Sequence, residues 1–196
     1  MLVLGVDPGK ATGWIILEGP DADSLRPLGV GALATWGTCR PHGKDAEEVM
    51  RLFVARRDVR PQQPCLVSIE RQHGMMLLID TYGRWLGMAE ARGLEVVGVW
   101  PASWKPRFIG PPNPRKVLDP ATGKMRALLS AEKRAAKKAT DEAYRVLAVE
   151  RFHLPADITP DVAAAAWVAA FAVDEILRTA DGDPEPKKPR RRKKRA

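Results

Sequence analysis

Three carboxylates in this 196-residue chain stand where an acid needs a physical reason. Asp7 closes the apolar run Leu2-Val3-Leu4-Gly5-Val6 and leads into Pro8-Gly9-Lys10-Ala11-Thr12-Gly13-Trp14. Glu70 closes a second such run, Cys65-Leu66-Val67-Ser68-Ile69, and Asp161 follows Thr159-Pro160 at the head of an alanine-rich stretch. An ionised carboxylate at the end of a buried strand is costly unless a cation or hydrogen-bond donors receive it. His42, His73 and His153 are scattered, and Cys39 and Cys65 lack metal-ligand spacing, so no soft-ligand cluster competes. A set of hard oxygen ligands with open positions suits Mg²⁺ or Mn²⁺, which keep water and substrate phosphate as further ligands. Two such ions about 3.5–4 Å apart would activate a water and stabilise the leaving oxygen in phosphodiester hydrolysis.

The elements that must carry these acids follow from periodicity and punctuation. Residues 2–6 read as a buried strand, the Pro-Gly pair as a turn, and Trp14-Ile15-Ile16-Leu17 as the returning strand. Val30 to Trp36 reads as a third strand, followed by a helix from Asp45 to Arg57 with Ala46, Val49, Leu52 and Phe53 on one face. In the fourth strand Cys65, Val67 and Ile69 point one way, and Leu66, Ser68 and Glu70 the other. A helix over about 75–92, capped by Gly93, is apolar on more than one side, so it is expected to be doubly buried or to meet a second subunit. Glu95 to Trp100 supplies a fifth strand, ended by Pro101. The proline-rich, basic segment 106–129 reads as an exposed loop or small hairpin. Ser130 is placed as the cap of a helix reaching Phe152, and Thr159-Pro160-Asp161 as the cap and first turn of the last helix. Alanines 163–166, 169 and 170 keep that helix slim enough to lie close to a sheet. The resulting class is mixed α/β.

Composition narrows the setting. The length fits one domain, placed at residues 1–180, and no stretch approaches the roughly 18–20 apolar residues of a membrane span. With no signal-peptide pattern at the N-terminus, the expected location is cytoplasmic. The net charge of +8 is concentrated at one end: residues 181–196 hold eight of the 32 Lys and Arg and three of the 24 Asp and Glu. That leaves 24 against 21, or +3, elsewhere. The polycationic end is expected to be a disordered tail able to tether the protein to a phosphate backbone without reading sequence.

Leu4-Gly5-Val6-Asp7-Pro8-Gly9 with Thr12-Gly13-Trp14, then Val67-Ser68-Ile69-Glu70, then Asp161-Val162-Ala163-Ala164-Ala165 together resemble the RuvC family of Holliday junction resolvases, within the RNase H-like superfamily. The resemblance spans roughly residues 1–175 and includes the order of elements. It implies a five-stranded mixed sheet of order 3-2-1-4-5, a homodimer formed through the 75–92 helix, and Mg²⁺-dependent paired nicking of four-way DNA junctions, with Mn²⁺ able to substitute. On the matching positions it implies Asp7, Glu70 and Asp161 as metal-binding catalytic acids. Lys105, within Pro101-Ala102-Ser103-Trp104-Lys105, and Lys138 resemble the family's DNA-contacting lysines. Trp104 beside Lys105 suits either a core position or a base-stacking surface, and Arg107 in the basic insertion suits contact with a junction arm. The family pattern ends with two metal-binding side chains three residues apart, and here the second position is Ala164, with Asp157 the nearest acid that could compensate. That departure bears on two-metal activity more than on the fold. Two other outcomes follow from the same residues: a nuclease acting more broadly on flaps and forks, or a junction-binding protein without catalysis. The actin and sugar-kinase ATPases share an acid-and-glycine first hairpin, but they need two such lobes around a nucleotide, which this length does not supply, so no nucleotide cofactor is expected.

Overall fold

The structure is a computed structural model, and the residues described are 1–9, 11–28, 36–40, 44–71, 76–108, 116–120 and 122–180. The first hairpin is as the sequence demands. Strand β1 (Leu2–Asp7) pairs antiparallel with β2 (Thr12–Glu18), in a register that sets Asp7 opposite Gly13. On its other side β1 runs parallel to β5 (Cys65–Glu70), which runs parallel to β6 (Glu95–Val99). Two short strands, β3 (Arg26–Pro27) and β4 (Trp36–Cys39), both pair antiparallel with β2. The sheet order is β3-β2-β1-β5-β6, with β4 also on β2. The expected order therefore stands, but the third place is shared by two short segments. Of the strand expected over 30–36, Trp36 begins β4 and residues 30–35 lie outside the described residues.

Side-chain alternation sends Leu2, Leu4, Val6, Val67 and Ile69 to one face, where α1 (Lys44–Asp58) and α2 (Met76–Glu90) cover them with Phe53 and Trp85. The opposite face holds Val3, Ile15 and Leu66 under α5 (Pro160–Ala180), which packs in turn on α4 (Ser130–Phe152). There Phe108 stacks on Trp167 at 4.9 Å between centroids, and Phe152 meets the same indole edge-on at 5.1 Å. Burying each such side chain contributes roughly 1.5–3 kcal/mol, so truncating Trp167 would loosen the α4–α5 layer first. Gly93 has φ +64° and closes α2 in the left-handed conformation, as expected of a helix-ending glycine. Along α2, Thr81, Trp85 and Ala89 face the core, whereas Met76 and Ile79 are exposed.

Three local expectations are corrected. Pro101 does not merely end a strand: it opens α3 (Pro101–Phe108), because a proline at the first helical position forfeits a hydrogen bond that no helix makes there. Residues 106–108 thus finish a helix and do not begin the insertion. The remainder of that segment, where described, is a hairpin of β7 (Lys116–Leu118) and β8 (Met125–Ala127). Ser130 is the first residue of α4, not its cap. Leu129 occupies the cap position, and Glu132 reaches back to accept its backbone N–H at 2.7 Å while holding Arg126 through two bonds. Thr159 caps α5 as expected, its hydroxyl accepting the Val162 N–H at 3.3 Å. The polycationic segment 181–196 lies outside the described residues.

The placement of α5 is set by two glycines. A Cβ on Gly5 would run into the Ala165 carbonyl and come within 3.0 Å of the Ala169 methyl, and one on Gly13 would overlap the Asp161 carbonyl and lie 2.7 Å from the Val162 nitrogen. Helix backbone thus rests directly on strand backbone, with alanines on the helix side of the contact. Because Gly13 is the cross-strand partner of Asp7, this contact brings the first turn of α5 to the first acid.

Candidate active site

Asp7 and Glu70 end two adjacent parallel strands on the same, α5-facing side of the sheet. The two carboxyls lie within hydrogen-bonding reach of each other. A hydrogen bond between two carboxyls needs one proton, and that proton belongs to the pair. Burial pushes the Asp7 carboxyl well above its ordinary 3.8; the charge of Glu70 and the bond to it raise it further, Asp161 adds to the rise, and Lys105 opposes it.

Glu70 is itself held. Trp104, fully buried at the centre of α3, donates its indole N–H to Oε1 of Glu70 at 2.8 Å, and the Lys105 ammonium stands 3.8 Å from the same oxygen. Lys105 also lies over the Trp104 ring, 5.0 Å from its centroid. A buried indole cannot offer its face to a base, so the stacking role considered for Trp104 is corrected: its polar edge serves the acid and its faces serve the core. The same ring meets Tyr144 of α4 edge-on at 6.0 Å. Tyr144 donates to Oδ1 of Asp141 at 3.2 Å, and Asp141 is paired through Oδ2 with Lys137 one helical turn earlier. Burial raises the Tyr144 hydroxyl, with Asp141, Asp7 and Asp161 adding to the shift, so its proton stays on.

Asp161, half-buried in the first turn of α5, is raised by burial, lowered by Lys137 and raised again by Asp141. It is within electrostatic reach of Asp7, whose carboxyl it pushes up, but the structure gives no bond between them. Among the described residues, no three Asp, Glu, His or Cys side chains are gathered closely enough to hold a metal ion as they stand. Asp7 and Glu70 present hard carboxylate oxygens of the kind a divalent cation takes, while Asp161 contributes charge from one step further out. Ala164 is buried in the helix–sheet contact, and Asp157 is exposed in the turn before α5.

The basic residues divide differently from their expected roles. Lys105 lies at the acids. Lys138 is exposed on α4 near Glu142, whereas its neighbour Lys137 is the lysine that faces Asp141 and Asp161. Arg107 is engaged on α5, paired with Asp174 and with Glu175 at 3.0 Å, and lies over Phe171. Sequence reasoning missed Lys137, Asp141 and Tyr144. Their i, i+4 and i+3 spacing marked one helix face, but nothing in the sequence said that this face turns toward the acids.

With this geometry in place, likeness to solved structures becomes informative. Thermus thermophilus RuvC in complex with Holliday junction substrate superposes with a TM-score of 0.51 at 16% identity, covering 93% of this chain and 97% of that one. The fold is RuvC-like. Mixed sheet, helix layers and order of elements therefore belong to the RNase H-like architecture expected from the sequence. A second Thermus thermophilus RuvC structure matches at 19% identity and TM-score 0.49, covering 93% and 98% of the two chains. The Fowlpox virus resolvase with substrate Holliday junction DNA matches at 14% and 0.47, covering 90% and 99%. No protein-family model matches the sequence, and no curated protein matches it. No helix among the described residues is long and apolar enough to cross a membrane.

Proposed function

We propose that this chain is a metal-dependent endonuclease that nicks four-way DNA junctions. The observation that supports this most directly is the close pair of half-buried Asp7 and buried Glu70 at the ends of two parallel strands of a RuvC-like sheet, with the first turn of α5 seated on Gly13 beside it. Asp7 and Glu70 would hold Mg²⁺ or Mn²⁺, with Asp161 adding negative charge at the open side. When bound, such an ion would supply an activated water and a counter-charge for the leaving oxygen of a phosphodiester. Trp104 keeps Glu70 in one orientation through its N–H, and Lys105 offers a cation to the phosphate undergoing attack. Lys137 supplies a second cation at the α4 side of the site, and Lys138 an exposed one for backbone further along. The exposed Met76 and Ile79 of α2 support the homodimer, in which two such sites would act on two strands.

Purified protein with Mg²⁺ or Mn²⁺ is expected to nick a synthetic four-way junction near its crossover. Asp7→Asn is expected to retain junction binding without nicking, and persistent cleavage by that variant would sink the assignment. A flap and a fork in the same assay test for broader branched-DNA activity. Ala164 favours one second reading, a junction-binding protein without catalysis: it would bind junctions tightly and cleave none across a full series of divalent metals.

A further inference from the structure

Arg71 follows Glu70 directly, yet alternation turns its side chain to the opposite face of the sheet, at the same edge where Asp7 and Glu70 end. Its backbone continues the ladder, donating to the Val99 carbonyl at 2.7 Å, so the root of the side chain is fixed. The guanidinium lies over Trp100, 5.1 Å from the ring centroid. It occupies a notch that exists because position 98 has no side chain: a Cβ on Gly98 would collide with Nε of Arg71, come within 3.0 Å of its Cζ, and lie 2.7 Å from the Tyr82 hydroxyl oxygen. Most other described arginines spend their forks on partners: Arg51, Arg57, Arg60, Arg84, Arg107, Arg126, Arg145, Arg151 and Arg178 are all in ion pairs. Arg71 is exposed, and among the described residues its guanidinium has neither ion pair nor hydrogen bond.

A guanidinium placed over an aromatic ring, seated in a glycine notch and without a carboxylate partner among the described residues is organised in advance for an external anion. The planar fork matches the two oxygens of a phosphodiester, and the contact with the ring limits the entropy lost on binding. We infer that Arg71 on Trp100 is a binding site for a backbone phosphate of the DNA substrate, on the α2 side of the sheet edge and separate from the phosphate that meets Asp7 and Glu70. This rests on the endonuclease reading above and extends it: the nucleic acid would cross the sheet edge, with the acids on one side and Arg71 on the other.

The test is equilibrium binding of a four-way junction and of a matching linear duplex across a salt series, without divalent metal, alongside nicking rates in Mg²⁺. Arg71→Ala is expected to weaken junction binding about tenfold at moderate salt and to lower the slope of log affinity against log salt by about one. Arg71→Lys should restore the slope but only part of the affinity, because an ammonium cannot make the paired contact. Gly98→Ala leaves Arg71 in the chain but evicts it from the notch. Since the colliding atoms belong to flexible side chains, the variant should fold, as thermal unfolding will show, and should bind junctions several-fold more weakly. An unchanged affinity and salt slope in Arg71→Ala, or a Gly98→Ala variant that binds like the wild type, overturns the inference. Wild-type protein that neither prefers junctions nor nicks them would instead refute the endonuclease reading itself.

Discussion

Gly13→Ala is the sharpest perturbation that the structure offers, because it adds one methyl group to the sheet and replaces no acid. The new Cβ would overlap the Asp161 carbonyl and sit 2.7 Å from the Val162 nitrogen, where ordinary contact begins at 3.4 Å. The first turn of α5 must retreat by about 0.7 Å at the nitrogen, and by more at the carbonyl. Overpacking of this kind costs about 1–3 kcal/mol, and in a chain of this size each kcal/mol lowers the melting temperature by roughly 2–4 °C. The catalytic loss should be larger. A displacement near 1 Å in a positioning element lowers rate by around 100-fold, and here the displaced residue is Asp161 itself. Gly5→Ala is the matched control, since its Cβ would strike α5 one turn deeper, at Ala165. It should cost similar stability but less activity. The assay is single-turnover nicking of a four-way junction, with melting temperature and junction affinity measured on the same preparations. If Gly13→Ala nicks at the wild-type rate, or loses no more activity than Gly5→Ala, then Asp161 is not held at the site by this contact and the argument fails.

Three further outcomes follow from the site. Asp7 carries a raised pKa, so the folded protein binds that proton more tightly than the unfolded chain. Its contribution is present below the ordinary carboxylate pKa and is lost as pH rises through the folded value. With chelator present, wild-type stability should therefore fall between acidic and neutral pH, Asp7→Asn should be more stable than wild type at neutral pH, and Mg²⁺ should narrow the gap; a wild type that gains stability over that range relative to Asp7→Asn would contradict this. Trp104→Phe keeps an aromatic ring against Tyr144 but removes the donor to Glu70. It is expected to bind Mn²⁺ several-fold more weakly by paramagnetic resonance titration, while Trp104→His, which restores a ring N–H, recovers part of the loss; equal Mn²⁺ affinity in all three proteins would show that the bond does not organise the acid. Lys137→Met should slow nicking more than Lys138→Met because only Lys137 faces Asp141 and Asp161, and the reverse order in a turnover assay would restore the assignment made from sequence.

The sheet and two of its acids were legible because strands β1 and β5 announce themselves: continuous apolar runs ending in a carboxylate, with alternation that puts Ser68 and Glu70 on the face opposite Val67 and Ile69. The start of α5 was equally plain from Thr159 and Pro160. What stayed hidden depended on contacts between distant segments. Pro101 read as the end of a strand and Pro106 as the start of an exposed loop or hairpin, although one opens α3 and the other falls in its final turn. Trp104 next to a lysine looked equally suited to core or surface, and only the arrival of α3 over Glu70 decides for the core. Choosing Lys137 over Lys138 requires the rotational phase of α4. That phase is obscured by Val146 and Leu147, apolar residues that remain exposed while Tyr144 and Ala148 are buried. Arg107 could not be paired with Asp174 and Glu175 before the fold placed α3 against α5.

The contact between α5 and the first hairpin has a consequence for how this protein can change. At most packed interfaces a larger residue on one side can be accommodated by a smaller one opposite. At Gly5 and Gly13 the obstructing atoms are carbonyls of Ala165 and Asp161, which every amino acid possesses, so no replacement at those helix positions can make room. Compensation must come from shifting the helix as a body, and its first turn carries the acid. Variation in this chain is therefore expected to accumulate on the exposed face of α1 and in the β7–β8 hairpin, while the two glycines stay fixed for as long as Asp161 has work to do.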